Sequence, residues 1–401
     1  MAETTSTSRP PTARRLYRIP PSFPKTPRDK QPHISFITPL LSFLAIIALL
    51  HFIAVIHVSN TIAAPVTNCD TLLRTTNYTK FVQMSPGQQN IGAIQQVNQL
   101  LNGQPAVLVP VVGTDTQHSL SVYIYGCTIE HHTPTLTLLF KQQKLAQGTF
   151  SISQAHTLIL SSVDPTLAAQ DTMLMQATQA NIYQEYAWQQ GKFVQVAFPS
   201  LYPVLSRGEA ETLQQQEDSG QQLPWTDPLF TAEQMAKDIL QSSGNSSSTD
   251  DRVLDNNGII AHVQLVLQQP ATTLTVTLQR LIQPNDSGLW FVTAAQTSDI
   301  TLAISTVQHS ATPFISSPIT LTGTSSVTGG TINISLFDHT LTPMSALLAS
   351  NLSLQANGSY AGQIAYTNNQ PSQPGLLLVS ITPSKGSTQT AQMILQDVII
   401  S

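Results

Sequence analysis

The sequence predicts a mainly β protein with some α+β structure, placed behind one N-terminal transmembrane helix. Three observations carry this prediction. Residues 34–58 form an apolar run that contains no Asp, Glu, Lys or Arg. Beyond that run, short segments alternate apolar and polar residues in the way that half-buried strands do. Helix-capping sequences interrupt these segments in the middle of the chain, which is the order of an α+β unit.

The apolar run at 34–58 is long enough to cross a bilayer. A helix of these residues rises about 1.5 Å per residue and spans a hydrocarbon core of roughly 30 Å. Backbone amides in lipid have no water partner, so a helix that closes its own hydrogen bonds is expected. The run exceeds the apolar region of a signal peptide, and Pro65 follows the candidate cleavage sequence at 62–64. We therefore predict an uncleaved signal anchor; a cleaved signal peptide and a buried core helix are the alternatives.

Charge gives the anchor its orientation. Residues 1–33 contain seven of the 17 Lys and Arg residues, two of the 22 Asp and Glu residues, and seven prolines. Lys- and Arg-rich segments beside a transmembrane helix usually remain in the cytoplasm. This segment is therefore predicted to be a disordered cytoplasmic tail at the plasma membrane. The rest of the chain is then extracytoplasmic, with ten basic against twenty acidic residues. An acidic outer part disfavours nucleic acid as a partner.

Residues 59–205 are predicted to form a β-rich extracytoplasmic domain with one packed helix. The helix is expected over 85–101, where Ser85 caps, Pro86 takes the first position and Gln88 completes a capping box. Strand patterns follow at 106–112, 120–125, 135–140 and 149–160, and 182–198 is predicted to be a hairpin around Gln190-Gly191.

The two cysteines of the chain, Cys69 and Cys127, both lie in this outer domain. A disulfide between them is one prediction, because an extracytoplasmic compartment allows such bonds to persist. Two separate buried thiols are the alternative, and two cysteines alone do not distinguish between these states.

Residues 206–306 are predicted to form a small α+β domain. Ser206 and Glu209 make a capping box for one helix, and Thr231 and Gln234 open a second. Three strands are expected after the helices, over 252–267, 272–282 and 289–303. The stretch Gly288–Thr293 (GLWFVT) resembles the last strand of cystatin-like or NTF2-like accessory domains in bacterial exported proteins. That resemblance implies a structural or binding domain.

Residues 313–401 are predicted to form a β-sandwich, because strand patterns recur there at short, regular intervals. The segment contains Ser317-Pro318 with the alternating stretch 319–324 after it, and later Gly375–Val379 and Ser384–Ser387. In these motifs it resembles the immunoglobulin-like domain of bacterial spore-germination and envelope proteins. The resemblance implies an immunoglobulin-like fold and a role in sporulation, germination or envelope maintenance.

This segment departs from the family at two places. Family members carry acidic residues at these places, where this chain has Gly329-Gly330 and Ser380-Ile381-Thr382. Any ligand-binding role of those acidic residues in the family is therefore not expected in this chain. The whole order of segments resembles exported, membrane-anchored bacterial proteins of unassigned function.

No pattern predicts a catalytic residue, a cofactor site or a metal site. His131-His132 is the one His pair, and neighbours on a strand point to opposite faces. Asp164 and Asp171 are isolated acids that would have to pair in space for glycoside hydrolysis. The larger aromatic side chains are predicted to pack in the core rather than on a glycan; these are Tyr183, Tyr186, Trp188, Phe193, Trp225 and Trp290.

The sequence thus predicts a non-catalytic, single-pass membrane-anchored protein of the cell envelope. Its outer domains are expected to bind wall glycan, a protein or another copy of the chain. An exported wall-directed hydrolase with a site built from scattered carboxylates is the first alternative. A cleft holding two carboxylates about 5–9 Å apart would favour it. A transmembrane sensor is the second, although a tail of this length leaves little to transmit a signal.

Overall fold

Strands make up about half of the part of the chain that the computed structural model describes, and helices far less, so the prediction of a mainly β protein is confirmed. The described residues are 68–82, 89–114, 118–130, 133–165, 167, 181–241, 250–305, 313–344 and 348–401. They belong to one compact unit, Pro65–Ser401. Within these ranges, no helix combines the length and the apolar character that a bilayer crossing requires. The predicted tail at 1–33 and transmembrane segment at 34–58 lie outside them.

The first sheet has five strands: β1 (Gln89–Ile91), β2 (Gln95–Gln96), β3 (Ala106–Gly113), β4 (Leu120–Glu130) and β5 (Thr133–Leu145). Its order is β1-β3-β4-β5, and β2 also pairs with β3. Helix α1 (Cys69–Thr75) and the 3-10 turn at Tyr78–Lys80 cover one face, where Leu73 and Tyr78 pack against Val109 and Tyr125. The strands predicted from alternation in this region are confirmed.

A disulfide joins Cys69, at the start of α1, to Cys127 on β4. It fastens the helix to the sheet that it covers, across a sequence separation of 58 residues. Within the predicted 59–205 domain, α1 is therefore covalently tied to β4.

Removal of this bridge is expected to lower stability substantially. Replacing both cysteines with Ser frees a long loop in the unfolded chain, and the free energy of unfolding should fall by about 3–4 kcal/mol. Urea unfolding of the purified chain measures this change, and reduced wild-type protein serves as the control that should match the variant. Free thiols titrating in unreduced, denatured wild-type protein would contradict the prediction.

The helix predicted over 85–101 is wrong. The described residues of that stretch form β1, β2 and a 3-10 turn at Asn98–Leu101 instead. Hydrogen bonding to β3 outcompetes the local capping signals: Gln89 is paired with Gly113 and Gln95 with Leu108. The apolar spacing that predicts one helical face does not hold, because Leu101 is buried while Ile94 is 46% exposed.

The second sheet contains β6 (Thr149–Ile152), β7 (Leu158–Val163), β8 (Asn181–Gln189) and β9 (Lys192–Val196), in that order. The hairpin predicted around Gln190-Gly191 is confirmed, and both residues have positive φ. One face packs on the first sheet, where Phe140 contacts Tyr186 and Phe193 edge to face. Trp188 packs against the same core, as predicted.

Two helices follow, α2 (Arg207–Asp218) and α3 (Pro228–Leu240). The capping box of α2 is confirmed: Ser206 Oγ accepts from Glu209 N at 3.3 Å and donates to Glu209 Oε2 at 2.6 Å. Helix α3 starts before the predicted Thr231, because Asp227 caps it by accepting from Phe230 N at 3.0 Å.

The third sheet has eight strands and crosses two predicted domains. Four come from the α+β region, namely β10 (Arg252–Asn256), β11 (Ile260–Gln268), β12 (Ala271–Gln279) and β13 (Phe291–Gln296). Its order is β10-β11-β12-β13-β21-β20-β17, with β15 on β21, so the predicted boundary near 306–313 falls inside one continuous sheet. The predicted strand 252–267 is two strands, because Asn257 and Gly258 turn the chain.

The remaining strands are β14 (Ile300–Ile304), β15 (Phe314–Ile315), β16 (Ile319–Ser325), β17 (Gly330–Phe337), β18 (Leu348–Leu354), β19 (Ser359–Ala365), β20 (Gln373–Pro383) and β21 (Gln392–Ile400). A fourth sheet, ordered β14-β16-β19-β18, packs against β17, β20 and β21. We call these two layers the C-terminal double sheet. Their shared core includes Leu321, Ile364 and Val379.

Strand alternation by itself predicts that Leu376 and Leu378 of β20 point into this core. Leu377, Val379 and Ile381 point inward instead. Leu376 and Leu378 point to the opposite face, where they pack with the core beneath α3. Both faces of β20 are therefore apolar, and alternation cannot identify the inner face.

Candidate binding groove

An open cavity with a largely polar lining lies between α2 and the outer face of the second sheet. Strand register places Thr149, Ser161 and Tyr183 on the same face, opposite the one that packs on the first sheet. The cavity has a volume of about 590 Å³ and opens to solvent. We call it the α2 groove; its lining is Thr149, Ser151, Gln154, Tyr183, Gly208, Glu211, Thr212, Gln214, Gln215 and Asp218.

Helix α2 reaches this position because Gly208 has no side chain. A Cβ atom there would lie 2.6 Å from Tyr183 Cδ1, so only glycine lets the first turn approach the sheet so closely. At the other end, buried Gln214 donates to Ser287 O at 3.1 Å and accepts from Leu289 N at 3.0 Å. The helix is thus held to the strand face and to the loop before β13, and one wall of the groove is rigidly placed.

The positive charge at the first residue of α2, Arg207, is already paired. Arg207 Nε donates to Glu185 Oε1 at 2.7 Å, and both side chains are largely buried. Thr157 Oγ1 donates to the same carboxylate oxygen at 2.6 Å, and the guanidinium stacks over Phe198. Arg207 therefore neutralises Glu185 beneath the sheet surface and contributes no free cation to the groove.

The two carboxylates of the lining are oriented by neighbouring groups. Glu211 Oε1 accepts from Gln154 N at 3.1 Å, and burial raises the pKa of Glu211. Asp218 Oδ1 accepts from Gln214 Nε2 at 3.1 Å. Ser151 and Gln215 make no side-chain hydrogen bond to the described residues. The groove thus presents oriented acceptors beside unengaged hydroxyl and amide groups.

A third carboxyl, Glu209, lies behind the groove wall and is 3% exposed. Burial raises its pKa to about 8 from the ordinary value of 4.5, against the opposing effect of the Ser206 hydrogen bonds. Burial, and to a smaller extent the same carboxyl, raises the pKa of the Tyr183 phenol. Glu209 is therefore a neutral group at neutral pH, suited to completing the helix cap.

Stability is expected to depend on the protonation of Glu209. The folded-state pKa lies above the unfolded value, so its contribution is present below about pH 4.5 and is lost as the pH rises to about 8. The free energy of unfolding should fall by up to about 1.4 kcal/mol per pH unit across that window. Denaturant unfolding at several pH values measures the slope. Glu209→Gln should remove this component, and an unchanged slope in that variant would contradict the assignment.

The acids singled out in the sequence do not line this groove. Asp164 is buried at the end of β7, where it accepts from Gln370 Nε2 at 2.8 Å and lies 3.8 Å from His339 Nε2. These contacts join the second sheet to the segment before β20 and to the turn after β17. Asp171 and the His131-His132 pair lie outside the described residues.

The sequence-predicted aromatic residues are mostly core residues, with Tyr183 as the exception. Trp290 is 1% exposed, and Trp225 packs against two hydrophobic cores. Tyr183 instead lies on the α2 face of β8 and lines the groove. No sequence signal distinguishes the groove face of α2, because polar residues at helical spacing are typical of any solvated helix face.

The described part of the chain is thus β-rich and holds an open groove lined by hydrogen-bonding side chains. In the described ranges, no three His, Cys, Asp or Glu side chains cluster closely enough to hold a metal ion. No family model matches the chain, and no curated protein or solved structure matches it significantly.

Proposed function

We propose that the chain is a non-catalytic, single-pass membrane-anchored protein of the cell envelope whose outer part binds a partner. The α2 groove is the observation that carries this proposal, because it gathers oriented carboxylates and free amide and hydroxyl groups on a rigid wall. The apolar run at 34–58 and the acidic outer part support the membrane anchor and its orientation. The partner is wall glycan, a protein or another copy.

The proposed immunoglobulin-like fold of 313–401 is supported by strand order. Strands β16, β19 and β18 are neighbours in one layer, and β17, β20 and β21 in the other, which matches the B-E-D and C-F-G pairing of immunoglobulin domains. The short β15 runs parallel to β21 beside it. The link to spore-germination domains rests on this order and on the sequence resemblance alone.

The proposed cystatin-like or NTF2-like character of 206–306 is supported by a helix packed on an antiparallel sheet. Met235 and Ile239 of α3 are buried against Val263 and Val276 of β11 and β12. Successive strands β10 to β13 are neighbours, as in a meander. A binding or structural role follows from that likeness.

Cell fractionation and a pull-down test the proposed function. Protease added to intact protoplasts should remove the chain beyond about residue 60 and spare the tail, because the outer part is exposed. The full chain should also sediment with isolated cell wall, and Glu211→Gln with Gln215→Ala should weaken that association. Digestion of the tail alone, or sedimentation unaffected by the groove variants, would contradict the proposal.

One observation favours the hydrolase alternative. Glu211 combines a raised pKa with a place in an open groove, as a general acid requires. Against this alternative, the helix rises about 10.5 Å between Glu211 and Asp218, which exceeds the carboxylate spacing of about 5–9 Å. Release of soluble fragments from wall glycan by the wild-type chain, abolished by Glu211→Gln, would establish that alternative in place of the non-catalytic function.

A further inference from the structure

We propose that the α2 groove binds an oligosaccharide without negative charge, with the carboxylates and amides of α2 contacting its hydroxyl groups. This inference rests on the proposed function and names the chemical class of the partner. It follows from the length of the groove, from the hydrogen-bonding groups left open in it, and from the ligand classes that its lining disfavours.

The groove runs along the helix instead of ending in a point-like pocket. Glu211, Gln215 and Asp218 are spaced by four and three residues, so they lie on one face of α2. From the first to the last, the helix rises about 10.5 Å. With a volume of about 590 Å³, the cavity suits a short chain of linked rings better than a single small ion.

The open groups of the lining match the hydrogen-bonding needs of sugar hydroxyls. Each hydroxyl donates one hydrogen bond and accepts others, so a site needs acceptors and donors side by side. Glu211 and Asp218 each keep one carboxylate oxygen that no described residue engages, and Gln215 and Ser151 supply donors. Because Gln154 and Gln214 already hold the two carboxylates, little side-chain entropy is lost on binding.

Tyr183 adds an apolar surface to this polar lining. Its ring lies on the strand side of the groove, across from α2, and closely approaches the backbone of Gly208. Aromatic side chains offer an apolar ring beside a polar handle, and sugar rings carry apolar C–H faces that pack on such surfaces. A partly buried ring opposite a row of hydrogen-bonding groups suits a ligand that is polar at its edges and less polar on its faces.

The lining disfavours the other ligand classes. An anionic polymer would meet two carboxylates, and no Lys or Arg lines the groove. A metal ion would need ligands that converge, whereas Glu211 and Asp218 stand two helical turns apart. A peptide strand added to the edge strand β6 would pair through its backbone and leave the acceptors of α2 unused.

Titration of the full-length chain with defined probes tests this inference. The uncharged probes are tetrasaccharides of glucose, N-acetylglucosamine, mannose and xylose; a hyaluronan tetrasaccharide is the anionic probe, and an extended Thr-Val octapeptide is the strand probe. Saturation-transfer NMR detects binding and calorimetry gives Kd. At least one uncharged tetrasaccharide should bind, and the hyaluronan and peptide probes should not.

Variants locate the site. Gln215→Ala and Asp218→Asn each remove one contact and should weaken binding by about three- to ten-fold. Gln268→Ala, at an exposed glutamine at the end of β11 outside the groove lining, should leave Kd unchanged. Both glutamines are exposed and hold no buried contact, so these variants keep the fold, which an unchanged melting temperature verifies.

The outcomes separate this inference from the proposed function. The sugar-binding inference is overturned if none of the four uncharged sugars binds. It is also overturned if the Gln215→Ala and Gln268→Ala variants bind the sugar equally well. Binding of hyaluronan or peptide alone also overturns the sugar class, while a partner-binding protein remains supported. Binding followed by cleavage supports the sugar class and overturns the non-catalytic function.

Discussion

Leu321→Asp is expected to unfold the C-terminal double sheet. Leu321 lies at the centre of β16, is fully buried, and packs in the core between the two layers. A carboxylate placed there has no cation or hydrogen-bond donor to compensate its lost hydration, so the loss of stability should exceed about 4 kcal/mol. Denaturant unfolding or the loss of dispersed amide resonances measures the effect.

The adjacent residue provides a matched control. Thr322 is on the same strand, one residue further along, and its side chain is exposed on the other face. Thr322→Asp introduces the same carboxylate at a solvated position and should change stability by less than about 1 kcal/mol. Equal losses in both variants would mean that β16 does not bury the face containing Leu321.

Arg207→Ala is expected to destabilise the chain by about 3–5 kcal/mol, because it leaves Glu185 buried without a counter-charge. Glu185 is 7% exposed, and its second carboxylate oxygen already has no hydrogen-bond partner among the described residues. The guanidinium also covers the ring of Phe198, and that contact is lost as well. Urea unfolding at neutral pH measures the change.

A double variant separates burial of charge from loss of packing. Glu185→Leu with Arg207→Met replaces both ions by apolar side chains of similar length, and its stability should lie close to that of the wild type. If the double variant is as unstable as Arg207→Ala, packing around Phe198 accounts for the loss, and the ion pair is not its cause.

Local signals predicted several elements correctly where tertiary contacts agreed with them. The capping box at Ser206 and Glu209 starts α2, and the positive φ angles at Gln190 and Gly191 close the β8–β9 hairpin. Both depend on interactions within four residues, which sequence patterns report directly. The same kind of signal failed over 85–101, where the pairing of β1 and β2 with β3 takes the backbone hydrogen bonds.

Local sequence patterns of this kind do not predict the candidate site. The α2 groove joins β6 and β8 to a helix that begins eleven residues after the end of β9, and each of its residues is ordinary in its own local context. Glu209 likewise reads as a surface capping residue, and only its burial under the groove wall raises its pKa. Both features arise from long-range packing, and they have no local pattern.

Local sequence patterns were sufficient to predict the mainly β class, most strands, the α2 cap and the apolar run at 34–58, because alternation, capping and hydropathy act over short distances. The inward face of β20, and the continuity of one sheet across the predicted α+β and C-terminal regions, depend instead on long-range packing. Ala295 pairs with Leu395, and Leu376 on the outer face of β20 packs beneath α3. A strand buried on both faces is apolar throughout, so its sequence carries no record of which neighbour covers which side.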